Sequence, residues 1–154
     1  MEKKELVQFL NDIFFPIDFK RKGNYWVNNE KFINKIVNLQ KSQYSNAYYL
    51  NYGYIINSLE LNNFKEHIPY RLGSSDSEQQ RKITELLNLD TNIIDKLRLS
   101  ELRKIINNEI VLPMQLIHTE EDLLEVLKGM RYRYTIPPFV LKYFNLSVDD
   151  SERL

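Results

Sequence analysis

The chain of 154 residues has no cysteine, two histidines and only four glycines. Without cysteine there is no disulfide framework, no thiolate zinc site and no cysteine nucleophile. His67 and His118 are far apart, and neither has a second His or a Cys at ligand spacing, so no metal site is expected. Each reads instead as a partly buried, hydrogen-bonding residue near the end of a strand or helix. None of the four glycines falls in a GxGxxG or GxxxxGK[ST] arrangement, which excludes the common phosphate-cradling loops. There is no Gly-x-Ser-x-Gly elbow, and Ser42 has no candidate base beside it in sequence. No cofactor is expected. Long hydrophobic runs are also missing: nothing approaches the roughly 18 apolar residues of a membrane helix. The opening stretch MEKKELVQFLNDIFF interleaves apolar residues with charges, unlike a signal peptide. The expectation is a cytoplasmic protein with no membrane partner. Net charge is absent as well, with 21 Lys and Arg balancing 21 Asp and Glu. A dedicated nucleic-acid binder would carry a clear basic excess.

What is present is an ordinary globular composition, 43% apolar and 27% charged, long enough for one domain with a real core. Tyrosine (10) and phenylalanine (8) are abundant. Charge is unevenly spread. Residues 1–73 carry ten Lys/Arg against seven Asp/Glu, and residues 74–130 seven against eleven. The first half is mildly basic and the second acidic.

Leu6, Phe9, Leu10, Ile13 and Phe14 repeat with helical period and predict an amphipathic helix that Pro16 ends. Gly23-Asn24 and Asn28-Asn29 are turn signals, with Tyr25-Trp26-Val27 as a short strand between them. Residues 32–40 alternate, with Ile33, Val37 and Leu39 on one face and Phe32, Asn34, Ile36, Asn38 and Gln40 on the other. Residues 47–56 alternate again, placing Tyr48, Leu50, Tyr52, Tyr54 and Ile56 opposite Ala47, Tyr49, Asn51, Gly53 and Ile55. A last strand covers Ile68 to Leu72. The apolar faces are expected against helices, leaving the amides on the other face. The second half reads as helices. Ser75 with Glu78 caps one, Ser100 caps another that Pro113 kinks or stops, and Thr119 with Asp122 caps a third. Pro137-Pro138 restarts the chain into a short helix from Phe139 to Leu146. Glu120-Glu121-Asp122 reads as first-turn acids favoured by the helix dipole rather than as a carboxylate site.

Two groups remain as candidate binding residues. Lys20-Arg21-Lys22, Lys41 and Arg71 gather at one end of the sheet if the strands form a meander, giving a basic rim for carboxylates or phosphates. The aromatic residues Trp26, Tyr44 and Tyr49 lie close to that rim, at positions suited to interface anchors. Tyr48, Tyr52 and Tyr54 read as core and cross-strand packing. Gln40 joins the set from the polar face.

The order Asp18-Phe19-Lys20-Arg21-Lys22-Gly23, an aromatic at Trp26, Val37-Asn38-Leu39-Gln40-Lys41-Ser42 and Tyr48-Tyr49-Leu50-Asn51-Tyr52-Gly53 resembles the bacterial domain of unknown function 4304. His67-Ile68 followed by Arg71-Leu72, and Leu112-Pro113 followed by Thr119-Glu120-Glu121-Asp122-Leu123-Leu124, are similar to its later elements. Asp18 stands where that family usually has glycine, and Tyr52 where it has a smaller residue. The resemblance implies an α+β domain and brings no activity with it.

The expected fold is α+β: an N-terminal helix, an antiparallel meander of about four to five strands, then three to four helices packed on one sheet face. Residues 1–146 form the single domain and 147–154 a polar tail. The expected function is non-enzymatic binding of another protein through Lys20, Lys22, Trp26, Gln40, Lys41, Tyr44, Tyr49 and Arg71. A toxin-neutralising, immunity-type or phage-linked inhibitory role would suit such a chain. The alternatives are single-stranded nucleic-acid binding on the aromatic face and an enzyme whose site assembles around His67, Arg71 and Gln40.

Overall fold

The computed structural model describes residues 1–149. Helix α1 (Lys3–Phe14) leads through one 3-10 turn (Phe15–Ile17) into five strands. These are β1 (Lys20–Lys22), β2 (Tyr25–Asn29), β3 (Ile33–Lys41), β4 (Tyr48–Ile56) and β5 (Ile68–Arg71). They pair antiparallel in chain order. The helices α2 (Ser77–Leu86), α3 (Asp95–Ile106), α4 (Leu112–Gln115), α5 (Glu120–Gly129) and α6 (Pro138–Tyr143) follow. The α+β meander is therefore the architecture. Among the described residues, no helix is long and apolar enough to cross a membrane.

The helical stripe of α1 is buried as its periodicity requires, with Leu6, Phe9, Leu10, Ile13 and Phe14 all in the core. It shares that core with Trp26, Ile33, Val37, Leu39, Leu50 and Ile56 from one face of the sheet, and with Leu102, Ile106, Leu123 and Leu127 from the later helices. Burial of each such side chain stabilises by about 1.5–3 kcal/mol. The turns follow local chemistry. Gly23, at φ 61°, takes the first position of a two-residue hairpin loop, where a type II′ turn requires positive φ. Asp18 caps the 3-10 turn at φ 71°. The left-handed region explains a preference for glycine there, and Asp is among the few other residues that tolerate it.

Several local expectations are corrected. Asn28 and Asn29 are not a turn: both lie in β2, paired with Lys35 and Asn34, and residues 30–32 make the reversal. The cap of α2 is Asp76, whose carboxylate accepts the Gln79 N–H, and not Ser75. Ser100 lies inside α3, which begins five residues earlier with Asp95 in its first turn, where the dipole favours an acid. Pro113 ends nothing at once. A π-helical segment (Asn107–Val111) precedes it, and proline sits in the first turn of α4, where no N–H is needed. The Thr119–Asp122 capping box is present. Helix α6 runs from Pro138 to Tyr143 rather than to Leu146. Of the expected tail, Val148 accepts the Arg133 N–H at 2.7 Å, and residues 150–154 lie outside the described residues.

One charged residue interrupts the apolar face of β3. Lys35 is 3% exposed, and its Nζ lies 2.7 Å from Glu30 Oε2. The second carboxylate oxygen of Glu30 is 2.7 Å from His118 Nδ1. This carboxylate ties the β2–β3 turn to the segment before α5. Burial pushes the Glu30 pKa up, but hydrogen bonds and charge from Lys35 and His118 outweigh it and hold the group below its ordinary 4.5.

Two stability predictions follow from these contacts. A Cβ at Gly53 would lie 2.3 Å from the Ile68 carbonyl oxygen and 2.9 Å from Glu66 Cγ. Gly53→Ala should therefore cost about 2–3 kcal/mol and lower Tm by roughly 5–10 °C in a circular-dichroism melt. Glu30→Gln strands a buried ammonium and should cost about 2 kcal/mol or more at neutral pH. The native Glu30 pKa is depressed, so its stabilisation is complete above the ordinary carboxylate value and is lost as pH falls through the folded value. Urea titrations of both chains should converge on acidification, and a pH-independent gap would contradict the pairing.

Candidate functional site

Side chains alternate across a strand, so the register of the sheet decides which residues share a face. Lys22 pairs with Tyr25, Tyr25 with Asn38, Asn38 with Asn51, and Asn51 with Arg71. These five residues form one row across all five strands, on the face opposite the helices. At about 4.8 Å per strand the row is roughly 19 Å long, with a cation at each end and amides in the middle. The neighbouring row on that face starts at Lys20 and continues through Val27, Ile36, Gly53 and Pro69, apolar beyond the lysine. On the other side, Gln40 pairs with Tyr49.

The amides form a chain of hydrogen bonds with a single direction. Arg71 can only donate. Its Nε reaches Asn51 Oδ1 at 2.9 Å and its Nη2 reaches Gln40 Oε1 at 3.1 Å. Both amides must therefore turn oxygen toward the guanidinium. Asn51 Nδ2 then donates to Gln40 Oε1 (2.8 Å) and to Asn38 Oδ1 (3.2 Å). Asn38 Nδ2 in turn donates to the Asn24 carbonyl at 3.2 Å. That carbonyl can only accept, so the two ends fix the same polarity independently. The Arg71 guanidinium also lies over the Tyr49 ring, 4.1 Å from its centroid.

The loop between β4 and β5, residues 57–67, folds back over this face. His67 holds it. The ring is 0% exposed, its Nδ1 accepts the Ile56 N–H at 2.8 Å, and its Nε2 donates to the Glu60 carbonyl at 2.8 Å. Asn62 and Asn63 reverse the loop with φ of 50° and 71°. The Lys65 ammonium then lies 5.8 Å from the Tyr25 ring centroid, and Glu66 lies over Gly53. Interaction with the Tyr25 hydroxyl holds the Lys65 pKa above its ordinary value. Burial pushes the Glu66 carboxyl up, against the opposing charge of Lys65. Between loop and sheet is a cleft of about 400 Å³ with Tyr25, Ile36, Asn51, Glu66 and Arg71 in its wall. At its edge Tyr52 and Tyr70 stack with centroids 5.1 Å apart. Burial is the main cause that pushes each phenol up to about 12.

The expected residues divide in three. Gln40, Tyr49 and Arg71 meet in one network. Lys20 and Lys22 share its face at the far edge, on β1, so the basic residues span the sheet rather than cluster. Lys41 ends β3, and Tyr44, 93% exposed, stands in the loop that follows. Trp26 is a correction. It is 0% exposed, on the core face, and its Nε1 donates to Asn11 Oδ1 at 2.9 Å. Its parity is that of Val37 and Tyr52, so the core claims it and a partner does not reach it. His67 is a second correction, because its two ring nitrogens are occupied within the loop and it does not line the Arg71 cleft. Tyr25, Lys65 and Glu66 were not among the expected site residues, yet they line the cleft. The signal was the Asn62-Asn63 pair, whose left-handed tendency reverses the loop. Among the described residues, no group of three His, Cys, Asp or Glu side chains could hold a metal ion.

The family model described as Domain of unknown function (DUF4304) matches residues 10–127, and the chain belongs to that family. No curated protein and no solved structure matches it.

The chain has a single tryptophan, so the assignment of Trp26 is directly measurable. Its fluorescence should resist acrylamide quenching until the protein unfolds. Trp26→Phe removes the buried indole N–H and leaves Asn11 unpaired, which should cost about 1–3 kcal/mol. Quenching as efficient in the folded as in the unfolded chain would return Trp26 to the surface.

Proposed function

We propose that this member of the domain of unknown function family is a binding module whose ligand is another protein, taken on the amide face of the sheet. The observation that carries the reading is an arginine on this face that neutral groups orient and no carboxylate neutralises. Arg71 is fixed by Asn51, Gln40 and the Tyr49 ring, and among the described residues it makes no ion pair, nor do Lys20 and Lys22 on the same face. Tyr49 stands exposed under the Arg71 guanidinium, and Tyr44 is exposed in the loop after β3. Arginine and tyrosine in this setting are common interface anchors, and unpaired cations favour a partner that presents acidic side chains. A small chain acting by binding alone suits a toxin-neutralising, immunity-type or phage-linked inhibitory role, an analogy of size and class rather than of chemistry.

The charge-reversed double variant Lys20→Glu, Lys22→Glu should abolish partner capture in an affinity pull-down while leaving Tm nearly unchanged. Both side chains are exposed and unpaired, so the fold does not depend on them. Full capture by that variant would reject this face. The same pull-down at low and physiological salt separates the other class of ligand. Retained nucleic acid that salt releases steeply would replace the protein partner.

A further inference from the structure

The hydrogen-bond polarity of the amide row has a consequence for what fits between it and the 57–67 loop. Every amide oxygen of the network is already engaged: Asn38 Oδ1 and Asn51 Oδ1 each take one bond, and Gln40 Oε1 takes two. The donors are not. Arg71 Nη1 and Gln40 Nε2 have no partner among the described residues. The polar end of the cleft is thus donor-rich and cationic, which matches an anionic group of a ligand. Two residues along the strands, from Asn51 to Gly53 and from Arg71 to Pro69, roughly 7 Å away, the row becomes Ile36, Gly53 and Pro69. Glu66 Cγ packs directly on Gly53 and fills the middle of this row, so the open apolar floor is Ile36. That end has Ile36 as its floor, with the Tyr25 ring and the Glu66 side chain in its wall, which suits a flat ring bearing an N–H. A volume of about 400 Å³ is in the range of small-molecule pockets.

We propose that this cleft binds a small planar heteroaromatic molecule carrying one anionic group, with the anion on Arg71 and Gln40, the ring over Ile36 beside Tyr25, and a ring or exocyclic N–H donated to Glu66. The site goes beyond the partner-protein reading and shares only Arg71 and Gln40 with it. A carboxylate and a phosphate would present the same acceptors, so both sources are tested.

The experiment is a titration of the 15N-labelled full chain with indole-3-acetate and, separately, with adenosine 5′-monophosphate, followed by backbone and Arg Nε–H shifts. Saturable shifts at Tyr25, Asn51, Glu66 and Arg71, with a Kd on the order of 0.1–1 mM for at least one probe, are expected. The tighter probe identifies the anion. Arg71→Ala should raise Kd at least tenfold, and Arg71→Lys, which keeps the charge but loses the planar fork, should fall between. Arg71 is exposed, so both variants should fold, and an unchanged spectrum away from the cleft confirms it. Absence of saturable shifts with both probes, or shifts that persist in Arg71→Ala, would overturn the proposal. Because the titration uses isolated protein, its failure leaves the partner-protein reading standing, and a failed pull-down leaves this site standing.

Discussion

The register between β3 and β4 is the constraint on which the rest of the structure depends. Nine residue pairs hold it, from Ile33 with Ile56 to Lys41 with Tyr48. Side-chain period in a strand is two, so a slip of one residue would exchange the faces. If β3 slipped, Ile33, Val37 and Leu39 would leave the core, and Asn34, Asn38 and Gln40 would enter it. The cost of burying three amides without partners makes that alternative far less stable. The same pairing that secures the core therefore also assembles the amide row. Core and candidate site are two faces of one register, and β2 and β5 extend both by pairing on either side.

Three arginines show how differently the chain uses one side chain. Arg98 is buried, and its Nη atoms donate to the Glu85, Leu86, Asn88 and Thr91 carbonyls, closing the C-terminal end of α2. Arg133 is buried too and donates to the Leu127 and Lys128 carbonyls at the end of α5 and to Ser147. Helix C-termini expose carbonyls with no intrahelical donor and a negative dipole end, so a guanidinium there serves both needs. Arg71 has no helix end to serve. It is held in place by neutral amides and by the Tyr49 face, neither of which neutralises it. Orientation without neutralisation leaves a fixed positive charge facing solvent, which is the arrangement that recognises an anion at low entropic cost.

Much of this was legible from the sequence because it rests on periodicity. The stripe Leu6 to Phe14, the alternation of residues 32–40 and 47–56 and the Thr119–Asp122 box each express a geometric period or a local hydrogen bond that short segments encode. The failures are of another kind. Trp26 and Lys35 both defied residue type: an aromatic beside a basic turn went to the core and a lysine was buried, because strand parity, not polarity, set their direction. Asn28 and Asn29 carry turn chemistry, yet pairing with β3 overrode it. Gln40 and Arg71 were recognisable as polar residues on one face, but their contact spans 31 positions and follows from the β4–β5 pairing. Lys65 and Glu66 reach the cleft only through a loop whose path His67 fixes.

That loop explains why a histidine placed near the candidate site does not belong to its surface. His67 precedes β5 immediately, and its ring turns back to bind the backbone at Ile56, where β4 ends, and at Glu60 within the loop. It closes the connection from both sides, as a tight turn would in a shorter hairpin. Ser58, bonded to Glu120 and Tyr143, fastens the outer part of the same loop to α5 and α6, and Phe64 and His67 both lie against Phe139. The helical half of the chain thus sets the height of the loop over the sheet although it contributes no residue to the amide row. A change in the packing of α6 would move Lys65 and Glu66 relative to Arg71. The cleft is therefore a property of the whole α+β domain and not of the strand motif alone.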